Sequence, residues 1–117
     1  LGLEESAQST RIARAQLRQL EEEQKRRSRR ALTDELDRAL VDLLSIYRDV
    51  LMIQLNADQE LINSDLADLV RELAQESTPR QTMTRVSAVE QARRRLLGNG
   101  QAQLVLEAMT VSLHPQA

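Results

Sequence analysis

The sequence predicts an all-α fold, a helical bundle of about four to five helices led by a long N-terminal helix. Three observations carry this. Apolar residues recur at steps of three and four over most of the chain, as on the face of a helix. Strong helix punctuation falls at Ser77-Thr78-Pro79 and at Gly98-Asn99-Gly100. No segment has a partner with strand-type alternation; residues 103–113 alternate weakly but have nothing to pair with.

Residues 1–20 carry a weak helical signal from Thr10, Ala13, Leu17 and Leu20, too little apolar area to fold without other contacts. Residues 21–30, Glu-Glu-Glu-Gln-Lys-Arg-Arg-Ser-Arg-Arg, hold no apolar side chain. Glu21/Lys25, Glu22/Arg26 and Glu23/Arg27 are spaced i,i+4 with the acid first. Each such pair adds about 0.2–0.5 kcal/mol to a helix. The spacing predicts a solvated helix running into the next segment; the alternative is a linker that breaks near Ser28.

Residues 31–56 give the strongest helix. Leu32, Leu36, Leu40, Leu43, Tyr47 and Val50 form one stripe, and Leu44, Leu51 and Leu55 widen it. Asp34, Asp37, Arg38, Asp42 and Arg48 lie opposite, and Asn56-Ala57-Asp58 reads as the stop. A polar connection with Leu61 and Ile62 follows. Asn63 or Ser64 then caps a short helix with Leu66, Leu69, Val70 and Leu73 on one face and Asp65 and Asp68 near its start. It ends near Gln75.

Thr78 suits an N-cap and Pro79 the first helical position. The helix they open is expected to bury Met83, Val86, Val89, Ala92 and Leu96. Gly98 fits a left-handed C-terminal position, Asn99 or Gly100 opens the last helix, and His114-Pro115 ends it. That last helix carries Leu104, Val105, Leu106, Ala108, Met109, Val111 and Leu113, apolar almost all round, where a surface helix shows one stripe. The surplus points to a partner.

At 117 residues the chain is one domain, or one domain with an extension. Its core must be aliphatic, since Tyr47 is the single aromatic residue, and the absence of cysteine excludes disulfides and thiol chemistry. Leu1 rather than Met at the start suggests a fragment of a longer protein. There is no run of about 18 apolar residues and no signal peptide, so the chain reads as soluble. The net charge of −2 hides a division: residues 1–30 hold eight basic and five acidic side chains, a net of +3, and the rest hold eight and thirteen, a net of −5.

Enzymatic chemistry finds no support. His114 is the one histidine and lies beside the C-terminus, so neither a transition-metal site nor a Ser-His-Asp triad is indicated. Asp34/Glu35/Asp37 and Asp65/Asp68 lack the loop pattern of a calcium site and read as surface charge or capping. Gly98-Asn99-Gly100 follows no strand and lacks a lysine, so it reads as a turn rather than a phosphate loop. Lys25–Arg30 offers charge for nucleic-acid phosphates, without aromatic residues to stack on bases; a solvated face is the plainer reading. Arg93-Arg94-Arg95 spreads over most of a helix circumference and is mainly solvated, with one arginine available for an interface ion pair. Core packing is preferred over a membrane-surface role for residues 32–55, whose polar face is acidic.

The order of elements adds a resemblance. A long helix holds Leu40-Val41-Asp42-Leu43-Leu44 and Tyr47-Arg48-Asp49-Val50-Leu51. A short capped helix follows, then a helix ending Leu97-Gly98-Asn99-Gly100, then Gln103-Leu104-Val105-Leu106-Glu107. Over about residues 30–117 this resembles the C-terminal collar domain of bacterial DNA polymerase III delta-prime clamp-loader subunits, and the Arg-rich helix before Ala31 looks like the actinobacterial type. Asn99, Leu104, Leu106 and Glu107 match the family's Asn-x-Asn and Leu-x-Leu-Glu pattern; Gln101 stands where a second Asn is usual. The resemblance implies a basic helical extension at 1–29 and an oligomerisation domain at 30–117. It implies a role in loading the sliding clamp on primed DNA during chromosomal replication in the cytoplasm, with delta and tau/gamma subunits as partners through the collar and clamp and DNA met only through the whole complex. The parent would be a subunit of the DNA polymerase III holoenzyme, a nucleotidyltransferase complex, and this part of it would have no catalytic residue, no cofactor and no metal. Arg94, Leu106, Met109, Val111 and Leu113 are the expected subunit-interface residues, with at least one of the four apolar ones exposed. The rival reading is a stand-alone helical adaptor or coiled-coil scaffold dimerising through residues 3–55. A third is a small nucleic-acid-binding module.

Overall fold

A computed structural model describes residues 2–98 and 100–114. Among these the elements are α1 (Gly2–Gln54), a single 3-10 turn (Ser64–Leu66), α2 (Ala67–Glu76), α3 (Pro79–Leu97) and α4 (Ala102–Leu113). No strand occurs among the described residues, as the unpaired alternation at 103–113 led one to expect. The chain divides into two units, residues 1–34 and 35–117.

In the first unit, α1 runs through Glu21–Arg30 without a break at Ser28. Of the three i,i+4 pairs, Glu23–Arg27 is formed, at 3.5 Å and well exposed. Every described residue up to Leu32 is exposed, and Leu32 is 50% exposed. Leu32 is therefore not part of the core stripe assigned to it by spacing: the stripe has something to pack on only from Leu36 onward.

In the second unit the core is Leu40 and Tyr47 of α1, Val89, Ala92 and Leu96 of α3, and Val105 of α4. Leu36, Leu43, Leu44, Val86, Ala102, Leu106, Met109 and Leu113 pack around it. Val50 and Val70 are also fully buried. The helix stop at Asn56 is a left-handed residue, φ 52°. The Ala57 amide donates to Met52 O at 2.9 Å and the Asn56 amide to Ile53 O at 3.1 Å. This is the Schellman arrangement, with asparagine in place of glycine. Leu55, just before that stop and past the last helical residue Gln54, is exposed rather than part of the buried face.

Thr78 caps α3 as expected, and the cap is reciprocal: the Gln81 amide donates to Thr78 Oγ1 at 3.2 Å while the Thr78 amide donates to Gln81 Oε1 at 3.0 Å. That is a capping box with glutamine. Neither Asn63 nor Ser64 caps α2 through its side chain. Leu66 is the residue before α2, and Asn63 turns its amide toward α1 instead. Met83, expected inside, is 48% exposed, and Thr82 beside it is fully buried. The swap follows from a polar partner: Thr82 Oγ1 donates to Gln54 Oε1 at 2.8 Å, so its hydroxyl is satisfied inside.

Candidate subunit interface

The candidate surface is built on α3 and α4, so the joint between them comes first. The Gly100 amide donates to Arg95 O at 2.7 Å, folding the chain back onto the end of α3. A Cβ at Gly100 would lie 2.6 Å from Arg95 O and 2.8 Å from Val105 Cγ2. Glycine is required there for space. Gly98 is not the left-handed residue its position suggested: φ is −96°, and its amide donates to Arg94 O at 3.0 Å. The carbonyls at the end of α3 are satisfied by backbone turns that need no positive φ at Gly98. Nor does Gly100 open the last helix. Gln101, in extended conformation, is the residue before α4. Asn99 lies outside the described residues.

Two arginines of α3 tie it to its neighbours, one to α4 and one to α1. Arg85 of α3 donates from Nε to Leu113 O at 3.2 Å, placing a cation at the C-terminal end of α4, where the helix dipole favours it. Arg93 forms a two-bonded pair with Asp37 of α1, Nε to Oδ1 at 2.8 Å and Nη2 to Oδ2 at 3.2 Å. The hydrogen bonds from Arg93 hold the Asp37 carboxyl below its ordinary value, against a smaller opposing effect of burial. Arg93 stays about a third exposed, 34% of its side chain, but its guanidinium is committed to Asp37. It fastens α3 to α1.

The five side chains expected at an interface fall in two groups. Leu106, Met109 and Leu113 are half-buried on the core side of α4, with Ala102 and Val105. Val111, 67% exposed, and Arg94 point outward. Leu104 is 60% exposed, and Leu104, Ala108 and Val111 follow each other at i, i+4, i+7, a single outer stripe of α4. Leu97, at the end of α3, is 58% exposed. Leu104 was legible in the sequence as apolar; its outward direction was not, because an all-apolar helix has no polar face to orient it.

Two buried polar centres carried no sequence signal. Asp49, fully buried, accepts from the Ile62 amide at 2.9 Å, the Asn63 amide at 2.8 Å, Asn63 Nδ2 at 2.9 Å and Arg48 Nη1 at 3.0 Å. Burial pushes its carboxyl up, but these four bonds together outweigh burial and hold it below the ordinary value. Arg48 also donates to Gln59 Oε1 at 2.7 Å and to Glu60 O at 3.3 Å, so the 57–63 connection is tied down at several points. Gln54 joins three elements: its Nε2 donates to Ser77 O at 2.9 Å and lies 3.3 Å from Ala74 O, and its Oε1 accepts from Thr82.

Among the described residues no three acidic or histidine side chains converge as metal ligands, and Asp37 is already engaged. No described helix is long and apolar enough to cross a membrane.

The chain is 37% identical over 71 residues to DNA polymerase III subunit delta' of Bacillus subtilis (strain 168), a match covering 61% of this chain and 22% of that protein. It therefore spans about a fifth of the length of the curated relative it matches. No solved structure matches. The family model described as DNA polymerase III, delta subunit, C terminal, matches residues 8–114, nearly the whole sequence. The chain belongs to that family, the C-terminal domains of the DNA polymerase III delta subunit.

Proposed function

We propose that this chain is the collar module of a clamp-loader subunit, with residues 1–29 a basic helical extension and 30–117 the oligomerisation domain. In this reading it assembles with delta and tau/gamma subunits in the cytoplasm. The sliding clamp and primed DNA are reached only through the complete complex, and this region contributes no catalytic group. The observation that carries the proposal is the outer stripe of α4. Leu104 and Val111 leave apolar surface on a helix whose inner face is already satisfied by the core, and Leu97 and Arg94 lie nearby in sequence at the end of α3. Apolar anchors with an arginine among them are the composition of protein–protein contacts. Family membership supports the same reading, and Leu106, Met109 and Leu113 then act as the layer that holds α4 in position behind the contact.

The test is co-purification of the full-length protein with its delta and tau/gamma subunits. A Leu104→Glu/Val111→Glu double variant should lose the complex, by about 2 kcal/mol or more in association free energy, while its helical circular dichroism and melting stay unchanged. Retention of the complex by a folded double variant would remove the α4 stripe from the interface.

A further inference from the structure

Residues 2–32 form a helix in which every side chain is exposed, and the Glu23–Arg27 pair leaves most of its charges without a carboxylate partner among the described residues. Placed at about 100° per residue, Arg11, Arg14, Arg18, Lys25 and Arg29 fall within roughly 60° of arc. They form one ladder rising ~27 Å along the axis. Arg26, Arg27 and Arg30 point elsewhere. Among the described residues none of the five ladder cations is paired with a carboxylate, whereas off-ladder Arg27 is paired with Glu23. Arg18 and Arg29 each bond through Nε to the carbonyl four residues back, at 3.5 Å and 3.4 Å, and their Nη donors have no partner among the described residues. Glu21 and Glu22 flank the ladder between Arg18 and Lys25 and divide it into an upper and a lower cluster.

We infer that this ladder is a contact surface for the phosphate backbone of double-stranded nucleic acid. Duplex DNA presents about one negative charge per 1.7 Å of axis, so both clusters of a ladder ~27 Å long can meet phosphates. Guanidinium groups with open donors bind phosphate in the fork geometry that lysine lacks. The composition selects the duplex and the backbone. Single strands are held on aromatic stacking platforms, and the one aromatic residue, Tyr47, is buried in the core. Binding is therefore independent of base sequence. The inference rests on charge placement alone and departs from the collar reading at one point: there DNA is met only through the whole complex, whereas here residues 11–29 contact the duplex directly.

The experiment titrates the 117-residue chain against a fluorescent duplex DNA of about 20 base pairs and the matching single strand, across roughly 50–200 mM salt, the range over which phosphate contacts lose their strength. The expected result is duplex binding in preference to the single strand, with log affinity falling on log salt with a slope of about −4. Arg14→Gln/Arg18→Gln/Lys25→Gln should weaken it at least about tenfold and reduce the slope by about 2 to 3. Arg26→Gln/Arg27→Gln/Arg30→Gln, the same change in charge away from the ladder, should cost less than about threefold, and Arg14→Lys/Arg18→Lys should retain salt-dependent binding. No binding at the lowest salt, equal loss in both glutamine triples, or equal affinity for the single strand overturns the inference. Helical circular dichroism of each variant establishes that a loss is not unfolding.

Discussion

Asp49 places a full carboxylate where water does not reach, which is tolerable because four donors surround it. Removing the acceptor leaves those donors without it, so Asp49→Ala should cost about 3 kcal/mol in denaturant unfolding. Its folded-state carboxyl is held below the ordinary value, so its contribution is present above the unfolded value of about 4 and disappears as pH falls through the folded one. Asp37 acts in the same direction through Arg93. Thermal melts should therefore show stability falling below about pH 4, and Asp49→Asn should lower stability at neutral pH and flatten the acid limb. A wild-type melt independent of pH between 2 and 6 would contradict the role given to this pair (a window of about two units either side of the reference value). Gly100 is a residue-scale case of another kind. Its missing side chain makes room for Arg95 O and Val105 Cγ2, so Gly100→Ala should destabilise by about 1–3 kcal/mol with no backbone-angle explanation required.

Two elements behave unlike their average. Helix α3 has an N-terminus closed by a reciprocal Thr78/Gln81 cap, so Thr78→Ala should cost about 1 kcal/mol. Thr78 Oγ1 and Gln81 are the whole of that cap, and Gln81→Ala should cost less than Thr78→Ala because the N-cap hydroxyl bond survives it. Helix α1 is continuous in backbone but divided in energetics. Up to Leu32 its side chains are exposed and its support is local, while from Leu36 to Gln54 it is packed and hydrogen-bonded. Native-state hydrogen exchange should therefore find residues 5–30 poorly protected and 40–53 protected to near the global unfolding free energy. Uniform protection along α1 would mean that the first unit has a stabilising partner.

At the scale of the whole molecule, the elements are assembled by a mixture of aliphatic packing and a few buried polar ties. Arg85 to the α4 terminus, Arg93 to Asp37, and Gln54 to Ser77 and Thr82 each join segments far apart in sequence. Of these, the Arg85 tie, with the packing of Val105 against Ala92 and Leu96, fixes the placement of α4 against α3, and that placement decides which of its apolar residues remain outside. The prediction at this scale is the Leu104→Glu/Val111→Glu loss of complex without loss of fold. Its counterpart is Val105→Ala, which removes a core side chain 6% exposed and should lower the unfolding free energy by about 2 kcal/mol.

What the sequence determined by itself was everything that depends on periodicity and punctuation. The helical class, the helix over residues 31–56, the Thr78-Pro79 start, the stop at Asn56 and the apolar excess of the last helix are local properties, set within a few residues of each other. The family pattern was also legible, because Leu104, Leu106 and Glu107 keep their order and spacing. The tertiary structure decided which side of each helix was used. It sent Leu32, Leu55 and Met83 outward and Thr82 inward, engaged Asn63 with Asp49 rather than as a helix cap, and paired Arg93 with Asp37, 56 positions away. Whether a polar side chain is buried depends on finding a partner from another element, and no local pattern encodes that partner.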